Sequence, residues 1–334
     1  MRTVFPLVVA AVAVGAAACS SGGSGGARLS SADAAGASGT SGAAAVSPFY
    51  VDPGTQAAAW VKAHPRDARA ARIRASIVAR PGAKWFGNWS GDITRAVSGY
   101  VGAAKAKGKT PVLVAYNITG RDCGGASGGG AGSSAAYRTW ISRFAAAIGN
   151  RPAIVVIEPD AVAQLDCLKG DAAKNRIALL NYATRQFKSK APKSRAYLDG
   201  GNAHWVAPAT MASRLNAAGV KNVRGFSVNV SNFFTTAESS AYAKKVNAAL
   251  SSKYRYTRGF VIDTSRNGHG GKPGVWCNPA GAKLGTAPQA GGSGSDYLLW
   301  VKIPGESDGP CGVGPNVKAG TFSPDLAMRL INGR

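Results

Sequence analysis

AIVVIEPD, residues 153–160, carries four β-branched apolar residues straight into a glutamate, a proline and an aspartate. A short apolar run without alternation, closed by a proline, reads as a strand buried on both faces. Six more runs of this kind surround it: AKWFG (83–87), PVLVAYN (111–117), RAYLDGG (195–201), VRGFSVNV (223–230), GFVIDTS (259–265) and YLLWVKIPG (297–305). Helical patterns fill most gaps between them, over 91–107, 135–148, 172–188, 207–218 and 236–252. Strands alternating with helices predict an α/β fold with a parallel sheet and crossover connections. Seven units fit a distorted TIM-type barrel, one strand short, better than an open sheet. In such a barrel all strand C-terminal ends meet on one face, where active sites lie.

Five of the chain's sixteen acidic residues stand where one of these strands runs into a turn: Asp122, Asp160, Asp199, Asp263 and Asp308. Desolvating a carboxylate at a buried strand end is costly, so a gathering of them calls for a chemical reason. Each also has a structural reading. Asp122 can pair with Arg121, Asp160 can cap a helix starting at Ala161, and Asp263 can anchor Arg266.

A chain of 334 residues, 45% apolar, is long enough for one large core. Residues 1–19, with Arg2, an apolar stretch from Val4 to Val14 and small residues before Cys19, read as an export leader too short to span a bilayer. Ala16-Ala17-Ala18-Cys19 is similar to a bacterial lipoprotein processing site, which makes Cys19 a candidate for lipidation; an ordinary signal peptide cleaved nearby is the alternative. Residues 20–46 are Gly, Ser and Ala with almost no large apolar side chain, and predict a flexible tether ahead of a domain over 47–334. In an exported chain the remaining cysteines, Cys123, Cys167, Cys277 and Cys311, point to two disulfides, and no CxxC spacing supports a metal site. Of three possible pairings, Cys123–Cys167 with Cys277–Cys311 closes the shortest loops, each worth about 4 kcal/mol by chain entropy.

The net charge of +24 favours contact with polyanions such as an acidic cell wall. Along the sequence the basic residues are scattered. The densest run, Lys62 to Arg80, has mostly helical spacing and no interleaved aromatics, which argues for a solvated helix face and against nucleic acid. HExxH, GxGxxG and the phosphate-binding GxxxxGK[ST] pattern do not occur, and there are three histidines. Carboxylates remain. Cleaving a glycosidic bond takes a protonated carboxylic acid for the leaving oxygen and a second carboxylate. Asp122 and Asp160, on neighbouring strands, form a like-charge pair able to keep one proton at neutral pH.

YNITGRDC, VIEPD, DTSRNG, VWCNP and VKIPGESDG resemble, in order, the motifs of glycoside hydrolase family 6, the inverting β-1,4-glucanases. The resemblance runs from SPFYVDP at Ser47 to the C-terminus and implies a distorted barrel with the two disulfides above. It implies Asp160 as general acid, Asp122 as the group that sustains its pKa and helps conduct a proton, and Asp308 as the proposed base. It further implies Asp199, Asn202, Asn229, Tyr116, Ser127, Lys302 and Glu306 as substrate-binding, with no metal or cofactor. Trp85, Trp205 and Trp276 resemble stacking tryptophans, whose flat faces suit sugar C–H surfaces.

Asn202 departs from the family pattern, which has histidine there; His204 lies two residues on. Pro310 precedes Cys311 in the loop of Asp308. Segments 124–133 and 278–296 are short and Gly-rich, so an open cleft and internal cutting of a β-1,4-glucan are expected of a monomeric, exported enzyme. A wall-attached glycan-binding protein without turnover, or a hydrolase of another β-glucan, are the alternatives.

Overall fold

The computed structural model describes residues 47–334. The expected leader, Cys19 and the tether lie outside the described residues. Strands β1 (Lys84–Phe86), β2 (Val112–Ala115), β3 (Ala153–Ile157), β4 (Ser194–Asp199), β5 (Gly225–Val228), β6 (Gly259–Asp263), β7 (Gln289–Ala290) and β8 (Tyr297–Leu299) form one sheet. Its order is β1-β2-β3-β4-β5-β6-β8-β7. Every neighbouring pair is parallel except β7 with β8. The seven parallel strands are those read from the sequence. β7 is an extra two-residue antiparallel edge, exposed and too short to leave a hydrophobic pattern.

Period-two alternation divides the strand side chains into two cores. Val112, Val114, Ile154, Val156, Tyr197, Val261 and Leu299 pack together inside the curl of the sheet. Leu113, Val155, Ile157, Leu198, Phe226 and Ile262 face outward under the helices. The sheet's two ends approach through Ala83 N–H donating to Trp300 O at 2.9 Å and Trp85 Nε1 to Val301 O at 2.7 Å. Two isolated bonds in place of a ladder make the barrel a distorted one.

The helices are α1 (Gln56–Ala63), α2 (Ala70–Ile73), α3 (Ile93–Ala106), α4 (Ser134–Ile148), α5 (Asp171–Lys190), α6 (Pro208–Ala217), α7 (Thr236–Tyr254) and α8 (Pro324–Asn332). The five expected from the sequence are α3 to α7. Their starts follow from capping: Asp92 accepts from Arg95 N–H, Ser133 from Ala136 N–H, and Thr235 with Glu238 forms a capping box. In α3, Val97, Tyr100, Val101 and Ala104 recur at helical spacing and are all buried. The disulfides Cys123–Cys167 and Cys277–Cys311 are both formed, each tying loops at the strands' C-terminal side. Among the described residues no helix is long and apolar enough to cross a membrane.

Candidate active site

All five strand-end aspartates lie at the C-terminal end of the barrel, joined there by Glu158 and Glu306. The backbone there is unusual. Asp122 (φ 56°), Glu158 (φ 49°), Asp160 (φ 69°), Asn229 (φ 67°) and Ser231 (φ 56°) all occupy left-handed conformations that cost a non-glycine residue stability. Surrounding bonds must hold them.

Asp199 and Glu158 do much of the holding. Asp199 is fully buried; its Oδ2 accepts from Asp160 N–H at 3.0 Å and Gly201 N–H at 3.1 Å, and its Oδ1 from Ser227 Oγ at 3.0 Å. Burial pushes its pKa up to about 6, against the pull of those three donors. The buried Glu158 accepts from Asn117 N–H at 2.9 Å and Ile118 N–H at 2.9 Å, fixing the chain just past β2. Burial raises it to about 7. Asp199 therefore does not face substrate, although the resemblance implied binding. Asn229 is likewise buried, spending its amide on Phe234 O and Asp263 O.

Asp160 sits differently. Its backbone is locked, its carboxyl has no hydrogen-bond partner among the described residues, and the residue as a whole is partly exposed. Burial of the rest, then the charges of Asp199, Asp122 and Asp308, drive its pKa well above the usual carboxylate range, with Lys302 opposing. Three hydrogen bonds solvate a charge on Asp199 and none solvate one on Asp160. The proton stays on Asp160. It does not cap a helix: residues 161–162 form a turn, the next helical turn starts at Ala163, and the Asp160 carboxyl accepts from no N–H among the described residues.

Asp122 lies in the loop after β2, where its Oδ2 accepts from Ser127 N–H at 2.7 Å and its Oδ1 from Gln164 Nε2 at 3.1 Å. The pairing with Arg121 is not made. Arg121 is buried and turns the other way, donating to Ser127 O, Asn88 Oδ1 and Tyr116 O while stacking on the rings of Trp89 and Tyr116. Gly130 (φ 100°) closes the loop, where any Cβ would overlap Ile118 O.

Asp308 is buried against two cations: Arg266 Nη1 at 2.7 Å from Oδ2 and Lys302 Nζ at 3.6 Å from Oδ1. Asn278 N–H adds a bond at 3.1 Å. Burial raises its pKa, but Arg266 and Lys302 together outweigh that and hold it below the usual range. Asp263 is structural, as one reading had it, though not as an anchor for Arg266. Its two oxygens accept from the N–H groups of Ser231, Ser265, Val301 and Lys302, knotting the ends of β5, β6 and β8. Glu306, half-buried beside Gln56 Nε2 at 3.1 Å, is raised to about 7 by burial.

The model of the glycosyl hydrolases family 6 matches residues 41–334. This chain belongs to glycosyl hydrolase family 6. Endoglucanase 1 of Streptomyces halstedii is 51% identical over 286 residues, 85% of this chain and 88% of that protein. Endoglucanase A of Cellulomonas fimi is 44% identical over 85% of this chain, which spans only 61% of that longer relative. Among solved structures, the endoglucanase Cel6 from Mycobacterium tuberculosis superposes with a TM-score of 0.79 at 39% identity, covering 86% of this chain and 98% of that one.

In this family 6 chain the aromatic residues divide. Trp85 meets Tyr116 edge-on with centroids 5.1 Å apart, and both are largely enclosed at the ends of β1 and β2. Burial and the charges of Asp160 and Asp122 raise the Tyr116 hydroxyl pKa, so it stays neutral. Trp205 and Trp276 are exposed by 43% and 51%. Trp276 lines an open groove of ≈ 510 Å³ with Ala126, Pro310 and the Cys277–Cys311 bridge. Across it, Ala126 packs so close to Gly309 that a Cβ there would fall 2.9 Å away, so the two short loops meet at one point. Asn202 is buried and accepts from His204 N–H, while the His204 ring packs at a tilt on Phe234 and reaches Glu238 at 3.3 Å.

Sequence reading gave no role to Glu158, Gln164 or Trp89, and gave Arg266 a different partner. Glu158 carries the plainest signal, a carboxylate closing an apolar strand. Gln164, Arg266 and Trp89, the last exposed by 54%, gain meaning only from what they touch.

Proposed function

We propose that this chain is an exported endo-β-1,4-glucanase that hydrolyses internal bonds of a cellulose-like glucan with inversion at the anomeric carbon. The observation that carries the reading is Asp160, a partly exposed residue with a locked backbone, a sustained proton and a carboxyl that has no hydrogen-bond partner among the described residues. The relatives named endoglucanases, and a thio-linked cellobioside bound in the Mycobacterium tuberculosis Cel6 structure, support the substrate class.

Asp160 donates its proton to the glycosidic oxygen as that bond breaks, and water adds to the anomeric carbon from the opposite face. The water's proton needs an acceptor. Asp308, paired with Arg266 and Lys302, is ionised but a weak base; Asp122, bonded only by neutral donors, is the better receiver. Asp308 then acts as a fixed negative charge that helps keep Asp160 protonated. Lys302, Glu306, Tyr116 and Ser127 line the sugar path, with Trp85, Trp205 and Trp276 as platforms. Lipidation at Cys19 would hold the enzyme at the outer membrane face.

Asp160→Asn tests the assignment. Cleavage of a soluble β-1,4-glucan, followed by new reducing ends, falls by about 10²-fold or more while the fold persists; full activity refutes it. The parent's first product is the α-anomer by NMR, and a β-anomer refutes inversion. Absence of any reducing ends from the parent would instead favour a glycan-binding protein.

A further inference from the structure

The end of the barrel opposite Asp160 is basic. The connections that lead from helix C-termini into β2, β3, β4, β5 and β6, residues 105–111, 149–152, 188–193, 218–224 and 253–258, contain twelve Lys and Arg and no Asp or Glu. Because these strands are parallel, all five connections lie at the end of the barrel opposite Asp160. Residues scattered in sequence are thus gathered in space.

Four of the twelve are held by an ion pair or by main-chain oxygens, while Lys190 and Lys253 reach only the hydroxyls of Ser142 and Ser213 and Lys221 lies over the Tyr256 ring. Arg224 pairs with Asp296 at 2.6 Å, and Lys109, Arg151 and Arg258 bond main-chain oxygens. The other eight, Lys107, Lys188, Lys193, Lys221, Lys253 and Arg255 among them, are exposed, and none enters an ion pair among the described residues. A cation in a helix's last turn is favoured by the helix dipole, but Lys193 stands beyond any helix and Lys221 lies in a single 3-10 turn. Asp296, just ahead of β8 on the same end, is already paired with Arg224. A neutral glucan gives these charges nothing to bind.

We infer that this basic end is a docking face for an anionic lipid bilayer, which leaves the carboxylate end directed away from the membrane. The described chain begins on the same face: Lys109 Nζ donates to Ser47 O at 2.5 Å and Thr110 N–H to Pro48 O at 2.9 Å. Any anchor on the preceding residues is therefore joined where the cations are. Each Lys or Arg brought near an anionic membrane adds about 1 kcal/mol, and the attraction falls off within about 10 Å at moderate salt.

The test is sedimentation of the full-length chain, carrying Cys19→Ser so that no acyl group contributes, with vesicles of phosphatidylcholine alone or mixed equally with phosphatidylglycerol at low salt. The ratio of the two partition coefficients cancels any apolar contribution. The inference expects a strong preference for the charged vesicles. Lys188→Glu/Lys190→Glu/Lys193→Glu lowers that preference by about a hundredfold or more. Lys62→Glu/Arg66→Glu/Arg74→Glu, the same charge change elsewhere, lowers it far less. Circular dichroism checks folding, and the milder Lys107→Gln/Lys221→Gln/Lys253→Gln replaces the first variant if it fails. Equal losses from both glutamate sets, no preference for charged vesicles, or capture by soluble polyphosphate alone would each overturn the inference.

Discussion

Replacing Asp199 with asparagine separates charge from geometry at the proposed acid. An asparagine oxygen can still accept from Asp160 N–H and Gly201 N–H, and its NH₂ can donate to Ser227 Oγ, so the lock on Asp160 survives. What disappears is a buried negative charge, the second cause, after burial, of the raised Asp160 pKa. Asp199 ionises at about 6, so its charge is in place when Asp160 titrates above it. Two unit charges roughly 6 Å apart at an effective dielectric of about 20 interact by about 2.8 kcal/mol, equivalent to about 2 pH units. The readout is kcat/KM against pH on a soluble β-1,4-glucan, whose alkaline limb reports the proton on Asp160. In Asp199→Asn that limb moves about 2 pH units toward acid, and activity lost at neutral pH returns near the new optimum. A limb left where it was, with activity reduced equally at every pH, would show that Asp199 acts by position alone.

Stability should also follow pH. Glu158 at about 7, Asp199 at about 6 and Glu306 at about 7 hold protons in the folded chain that the unfolded chain releases near pH 4. Their contribution is complete below that point and is lost as pH rises through 6 to 7, so calorimetry should find a higher Tm at pH 5 than at pH 8. The reverse order would refute the assignment of these three. Arg266→Met strands Asp308 in a buried site with only Lys302 at 3.6 Å, and denaturant unfolding should record a loss of about 3 kcal/mol. Trp205→Ala should raise KM for glucan oligomers severalfold with kcat little changed; the opposite split would place Trp205 outside the substrate path.

AIVVIEPD was enough to fix a buried strand ending in acid, and its six counterparts supplied the parallel barrel. Those features are local. β-Branched runs, capping residues such as Thr235 with Glu238, and turn residues act over a few positions, so they can be read along the chain. Placement of the aspartates at one end followed from topology, because parallel strands bring every C-terminal end to one face. Their separate roles were beyond the sequence. Asp122 beside Arg121, and Asp263 near Arg266, suggested ion pairs that the fold does not make; Arg266 crosses instead to Asp308, forty-two residues on. Asp199 and Asn229 turned out to be buried supports. A carboxylate's pKa sums burial, donors and charges from the whole neighbourhood, and around Asp160 these come from the segments of Asp122, Asp199, Lys302 and Asp308. The basic end has the same origin, since cations spaced from Lys105 to Arg258 become one face only when five parallel connections align. Sequence by itself determined the elements and the kinds of group they carry, because short-range sterics and hydrophobic period act locally. Tertiary structure alone decided which carboxyl keeps its proton and which surface carries the charge, because Coulomb interactions depend on distance in space.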